Sequence, residues 1–254
     1  MPVQKENISF PNKRGEQLAA VLDCPDTSPR AYAVFAHCFT CSKNITTVTR
    51  VSRALAERGI AVLRFDFTGI GGSEGDFSRT NFSSNIQDLL AACEFLQRQY
   101  EAPKLAIGHS LGGAAVIAAA SRLTSVKAIA TIAAPSDPGH MHHLLRSSVD
   151  EITRNGSAEV EIGGQSFTIR RQFLEDISEH KLDQALMKMT QSLLIMHSPD
   201  DGMIEIEHAY HLFSVAQCRK SFVTLNQADH LLSRLPDVEY VADIIAAWAT
   251  HNID

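Results

Sequence analysis

The sequence predicts an α/β fold: a mostly parallel sheet of about eight strands, helices on both faces, and a small insertion late in the chain. Three observations predict it. Short, wholly apolar runs alternate with helical patterns along most of the 254 residues. Such runs fit strands buried on both faces, which helices on either side of a parallel sheet provide. A chain of 254 residues, 44% hydrophobic and 20% charged, is long enough to bury about 70–75% of its unfolded surface in one α/β domain, so it needs no covalent staples. The third observation is Gly108-His109-Ser110-Leu111-Gly112-Gly113, a serine between glycines where a strand gives way to a helix.

The elements follow in order. Ile8–Pro11 and Leu18–Cys24 read as an antiparallel pair around the turn Asn12–Gln17, and Ala31–His37 as a compact apolar strand. Asn44–Arg58 has helical periodicity, and Gly59 ends it as a C-terminal glycine does. Ile60–Phe67 is a strand rich in Val, Leu and Phe, Thr68–Ser78 a glycine-rich loop, and Phe82–Tyr100 a helix. Lys104–His109 is the strand that enters the serine turn, and the Ala-rich stretch from Ala114 to Ala120 leaves it as a helix. Val126–Ala134 and Ser192–His197 are further buried strands. Glu205–Ala216 is a helix, Ser221–Leu225 a strand and Val238–Thr250 a closing amphipathic helix.

One stretch breaks the alternation, from Ser136 to about Met189. It holds a hairpin pattern, Ala158–Ile162 and Ser166–Arg170 around Gly163-Gly164, then a helical Gln172–Glu179. An insertion of this kind over the strand ends reads as a lid within one domain spanning residues 1–254.

Charge and termini exclude several classes. The formal net charge is −6 with no block of either sign, so nothing suggests a nucleic-acid surface. No apolar run approaches the ~20 residues of a membrane span. Met1 to Phe10 is polar and mixed, unlike a secretion signal. Five cysteines, an odd number, suggest reduced thiols and a cytoplasmic location.

The chemistry starts at Ser110. A serine at the apex of a strained turn is lifted clear of the sheet, and Gly108 and Gly112 remove the Cβ atoms that would collide where strand and helix pass closely. A serine also needs a base, and the base needs a group to orient it. With this turn the chain order is serine, acid, histidine. The strand Ser192–His197 is followed by Ser198-Pro199-Asp200-Asp201-Gly202, and Ser221–Leu225 by Asn226-Gln227-Ala228-Asp229-His230. His230 is the expected base. Asp201 is the favoured acid, with Asp200 and Asp137 as competitors; Asp229 adjoins His230 and its side chain should point away. Two N–H donors should face the oxyanion. Leu111, at the start of the helix, is one. The loop His37-Cys38-Phe39-Thr40-Cys41-Ser42 should supply the other, by position Phe39.

Together these residues resemble the α/β-hydrolase superfamily across nearly the whole chain: His37-Cys38-Phe39-Thr40, Arg64-Phe65-Asp66-Phe67-Thr68-Gly69-Ile70-Gly71-Gly72-Ser73, the serine turn, Asp201 and His230. The segments from His37 to Lys43 and from Ala228 to Ser233 resemble more closely the hydrolase module associated with OsmC-type peroxide-resistance domains. Size and layout are also similar to lidded cinnamoyl- and feruloyl-esterase-like enzymes. The resemblance implies a carboxylesterase-like serine hydrolase without a cofactor, acting on esters or thioesters, and a functional link to an OsmC-type protein. Alternatives are acyl transfer or amide cleavage by the same residues, or a redox-coupled role for Cys38 and Cys41. One departure stands out: most relatives carry Gly where Cys38 stands, and a Cβ there restricts the backbone that must aim Phe39 N–H.

Other candidates have plainer readings. Cys38-x-x-Cys41 has redox spacing, but cysteines are often just small buried hydrophobes. His140, His142 and His143, and also His208 and His211, read as lid lining or surface rather than metal ligands. The Gly69–Gly75 loop lacks the ending of a phosphate cradle. His37 and His109 read as structural histidines flanking the site. Met141, Leu144, Leu145 and Phe167 suggest an apolar pocket lining, or else the lid's own core.

Overall fold

The computed structural model describes residues 3–162 and 164–253. Eight strands form one sheet: β1 (Val3–Pro11), β2 (Gln17–Pro25), β3 (Ala31–Ala36), β4 (Ile60–Phe65), β5 (Leu105–His109), β6 (Ala128–Ile132), β9 (Ser192–His197) and β10 (Lys220–Thr224). Their order across the sheet is β1-β2-β4-β3-β5-β6-β9-β10. The pairs β1–β2 and β2–β4 are antiparallel, and every pair from β4 to β10 is parallel. The strands β4, β5, β6 and β9 are buried at every position, the physical origin of the unbroken apolar runs. The expected strands over 60–67 and 126–134 end earlier, because their last residues leave the ladder to form loops at the sheet edge.

Helices α1 (Thr46–Glu57) and α9 (Leu235–Thr250) cover one face; α2 (Phe82–Gln99), α3 (Leu111–Ala119) and α8 (Glu207–Val215) cover the other. Each face has its own core. Val48, Val51 and Leu55 meet Val241 and Ile245 on the first; Leu89 and Leu96 meet Ala115 and Ile117 on the second. The local signals are physical. Gly59, at φ +87°, ends α1 in the left-handed conformation that only glycine adopts freely. Asn81 and Ser84 close a reciprocal capping box that starts α2.

Between β6 and β9 lies the insertion: α4 (Met141–Leu144), α5 (Arg146–Asn155), the hairpin β7 (Ser157–Ile162) and β8 (Gln165–Arg170), α6 (Arg171–Glu179) and α7 (Leu182–Lys188). Gly163, half of the expected hairpin turn, lies outside the described residues; Gly164 has φ +79°. Asp176 of α6 accepts hydrogen bonds from the Ser83 N–H (2.7 Å) and hydroxyl (2.6 Å), fastening the insertion to the first turn of α2. Met141 and Leu145 are buried in the core while Leu144 is exposed. Among the described residues no helix is long and apolar enough to cross a membrane.

Candidate active site

The turn between β5 and α3 holds Ser110 at φ 55°, ψ −127°. A side chain in that region costs about 1–3 kcal/mol and persists only where the surroundings dictate it. Here the surroundings are backbone. A Cβ on Gly108 would lie 2.4 Å from Gly112 O, and one on Gly112 only 2.3 Å from Ala36 O. The glycines therefore let α3 descend onto β5 and the end of β3, and Ser110 is raised at the junction. Its N–H donates to Ile132 O at 2.8 Å, tying the apex to β6.

The parallel strands β5, β9 and β10 end on the same edge of the sheet, and their following loops bring three distant side chains together. Ser110 Oγ lies 3.0 Å from His230 Nε2, and His230 Nδ1 lies 2.7 Å from Asp201 Oδ2. A carboxylate only accepts, so Nδ1 carries the imidazole proton and Nε2 presents its lone pair to the Ser110 hydroxyl. The other Asp201 oxygen accepts from the N–H groups of Met203 (2.8 Å) and Ile204 (3.0 Å). Burial pushes the Asp201 pKa up; the hydrogen bond and charge of His230 and the two backbone donors more than reverse this, and its carboxyl sits below the usual carboxylate value. Ser110 and His230 are each 6% exposed and Asp201 8%, so the chain of bonds is shielded from bulk water.

The competing acids are occupied elsewhere. Asp200 Oδ2 accepts from Gln227 N–H at 2.8 Å, Asp229 Oδ1 from Ser233 N–H at 2.8 Å, and Asp137 Oδ2 pairs with Lys181 Nζ at 2.9 Å. Asp200 thus joins the loop after β9 to the loop after β10, the two that carry Asp201 and His230.

Two histidines do more than flank the site. His109 Nε2–H donates to the carbonyl of His230 at 2.7 Å, and its ring sits 5.1 Å from the His230 ring. His197 Nε2–H donates to Ile204 O at 2.8 Å, bracing the turn that presents Asp201. Burial drives both toward the neutral form, His109 down to about 3. They brace His230 and the turn carrying Asp201 through main-chain carbonyls. The sequence carries no signal for this beyond the residue type.

Leu111 is the first residue of α3, and Phe39 lies in the turn after β3. Among the described residues neither N–H donates to a protein acceptor. Both residues line one small apolar cavity with Cys38, Thr40, Phe77 and Ala115. The start of α3 adds its dipole, which favours negative charge there. Behind the loop, buried Asp66 accepts from Lys43 N–H (2.6 Å), Lys43 Nζ (2.6 Å) and Gly72 N–H (2.9 Å). The glycine-rich segment is thus the wall that fixes the end of the Phe39 loop.

The cysteines correct one expectation. Cys38 and Cys41 form a disulfide across this turn, with Cα atoms 5.3 Å apart; Cys24, Cys93 and Cys218 are free thiols. Five reduced cysteines were expected, but the turn, closed by Cys41 N–H donating to Cys38 O at 3.3 Å, brings the first and fourth residues within bridging distance. Cys38 itself avoids the left-handed region. Thr40 takes it instead, at φ 56°, so the Cβ at position 38 is accommodated by shifting the unusual backbone conformation two residues on.

His140 of the insertion and His208 of α8 are linked by hydrogen bonds. Ser136 N–H donates to His208 Nδ1 (3.2 Å), which leaves the proton on Nε2; that proton faces His140 Nδ1 at 3.1 Å, and His140 Nε2–H faces Met203 O at 3.2 Å. His140, His208 and Glu205 converge within 4.8 Å, as a metal site would require, yet this tautomer leaves His208 Nε2 a donor rather than a ligand. His211 pairs with Asp183 at 2.8 Å and His142 with Ser178 at 2.9 Å.

Comparison with known proteins agrees with this geometry. Residues 27–153, half of the chain, match the Hydrolase_4 family, described as serine aminopeptidase, S33. The chain is 23% identical to mitochondrial palmitoyl-protein thioesterase ABHD10 of Mus musculus, covering 92% of this chain and 80% of that one. It is 24% identical to monoglyceride lipase of Rattus norvegicus, over 95% and 89%. The solved esterase domain of a Rhodothermus marinus protein is 52% identical and superposes over 99% of this chain and 100% of that one with a TM-score of 0.82. Est1E of Butyrivibrio proteoclasticus with bound ferulic acid, at 20% identity, 97% and 99% coverage and TM-score 0.79, shares the fold. The chain belongs to the Hydrolase_4 family, and is a serine hydrolase of the α/β-hydrolase superfamily.

Proposed function

We propose that this enzyme cleaves carboxylic esters or thioesters through an acyl-enzyme on Ser110. The observation that carries the reading is the unbroken hydrogen-bonded line from Ser110 Oγ to His230 (3.0 Å) to Asp201 (2.7 Å). Ser110 Oγ attacks the carbonyl carbon as His230 Nε2 takes its proton. Asp201 keeps the Nδ1 proton in place and stabilises the imidazolium that forms. The carbonyl oxygen, now negative, is held by the N–H groups of Phe39 and Leu111, each donor contributing ~3 kcal/mol of transition-state stabilisation. His230 then protonates the departing alkoxide or thiolate, and a water activated by the same nitrogen releases the acid. The solved esterase at 52% identity and the thioesterase and lipase relatives support ester and thioester substrates.

The acyl side favours apolar groups. The small cavity that Phe39 and Leu111 line is walled also by Phe77, Phe82, Ile70 and Ala115. The insertion narrows this side, since Phe173 of α6 stacks on Phe39 with ring centroids 4.9 Å apart. A panel of p-nitrophenyl esters of increasing acyl length tests the proposal. Hydrolysis should be measurable on short acyl groups and fall to background in Ser110→Ala. Equal rates from wild type and variant would overturn it, and transfer of the acyl group to an added alcohol or amine faster than to water would redirect it to acyl transfer.

A further inference from the structure

We propose that the Cys38–Cys41 disulfide is a thiol–disulfide exchange site that sets the aim of the Phe39 N–H, so that the hydrolase is active oxidised and weakened when a dithiol reduces it. The inference rests on the reading of Phe39 N–H as an oxyanion donor. Its own evidence is the architecture of the turn. Phe39 and Thr40 are the two residues enclosed by the bridge. The only backbone hydrogen bond closing that turn, among the described residues, is the 3.3 Å contact from Cys41 N–H to Cys38 O. Thr40, a β-branched residue, is held at φ 56°, a conformation that costs about 1–3 kcal/mol and reverts when nothing enforces it. The bridge closes covalently around it, beside the hydrogen bond from Thr40 Oγ1 to Phe39 O at 2.7 Å.

Both ends of the turn are anchored independently. His37 Nδ1–H donates to Cys38 O at 2.7 Å, and Lys43 N–H to Asp66 at 2.6 Å. Opening the bridge therefore relaxes residues 39–42 without releasing the fold. The two cysteines also differ in exposure: Cys38 is buried, 5% exposed, and Cys41 half-buried. The exchange accordingly starts at Cys41. A thiolate of a small dithiol attacks Cys41 Sγ, the S–S bond breaks, and the electron pair leaves on Cys38 Sγ, which takes a proton from solvent. The reagent's second thiolate then displaces Cys41, which is likewise protonated. The dithiol becomes a disulfide, and the protein gains two electrons and two protons as two thiols. Because the Phe39 ring stacks on Phe173 and lies 5.8 Å from Phe77, the same relaxation loosens the insertion over the acyl cavity.

The test uses the wild-type chain in two states: oxidised with glutathione disulfide, and reduced with dithiothreitol. Thiol titration in denaturant should count three thiols in the first, Cys24, Cys93 and Cys218, and five in the second. kcat for p-nitrophenyl acetate should fall on reduction by ~10-fold or more, the scale of a misaimed oxyanion donor, with KM within ~3-fold and kcat restored on reoxidation. A C38S/C41S variant should sit at the reduced level and ignore the dithiol. Five thiols in the oxidised sample would overturn the proposal, as would a reduced kcat equal to or above the oxidised one. Ser110→Ala separates the two readings: if it abolishes activity while kcat is redox-independent, only the exchange site fails; if it leaves activity intact, the hydrolase reading fails first.

Discussion

The serine turn and the insertion over it are built on opposite terms. Around Ser110 the contacts that set geometry are backbone against backbone: Gly108 against Gly112 and Gly113, Gly112 against Ala36 and His37. Around the insertion they are side chain against side chain: Phe173 on Phe39, Phe167 on Phe77, Asp176 on Ser83. The first arrangement tolerates almost no substitution and fixes where chemistry happens. The second can be repacked, and decides what reaches it. The Cys38–Cys41 turn lies between the two: it carries the Phe39 N–H, the proposed oxyanion donor, and the Phe39 ring that stacks on Phe173 of the insertion.

The sharpest way to break this contrast is at the acid. Asp201→Asn keeps the shape but lets His230 adopt the wrong tautomer, and kcat for p-nitrophenyl acetate should fall by ~10⁴-fold while the folded spectrum is unchanged. A small effect would mean that another acid orients His230.

A second test uses the buried histidines that line the site's rigid half. His37 and His109 are almost fully buried, and burial lowers their pKa values to about 4 and about 3 from 6.5. Their folded-state values are depressed, so the unfolded chain binds more protons between about pH 6.5 and pH 4, and stability falls as pH drops through that window. Urea unfolding should show less stability at pH 5 than at pH 7, the loss from the two imidazoles being partly offset by Asp88, whose carboxyl burial raises to about 6. A flat profile would show that these imidazoles are protonated in the fold.

The third test compares the two regions directly. Gly112→Ala places a methyl 2.3 Å from Ala36 O and 2.5 Å from His37 O, atoms that cannot move without parting α3 from β3; it should cost about 3 kcal/mol in urea unfolding and most of the activity. Phe173→Ala should cost less in kcat for acetyl esters, within ~3-fold, and act mainly on KM for longer acyl groups. Equal losses of kcat in both variants would mean that the insertion positions the chemistry itself.

What the sequence reveals divides along the same line. The serine turn is legible because backbone sterics leave a residue pattern: only glycine survives at 108 and 112. The strands are legible because two-sided burial makes them wholly apolar. Asp201 and His230 are legible by chain order, though the choice of Asp201 over Asp200 depends on which carboxylate faces His230 and which faces Gln227 N–H. The insertion is far less legible. Its helices α4 and α7 run only 4 and 7 residues, too short for periodicity to stand out. The bond from His109 to the carbonyl of His230, 121 residues away, leaves no trace because any residue supplies a carbonyl. The disulfide depends on backbone angles within a four-residue turn, which spacing alone does not fix.

The most direct test of the central claim is covalent trapping. A fluorophosphonate probe reacts with a serine only when a neighbouring base draws off its proton. Labelling of the oxidised enzyme should be stoichiometric, located by peptide mass spectrometry at Ser110 and strongly slowed by His230→Ala. Labelling at another serine, or at Ser110 with an unchanged rate in His230→Ala, would contradict it.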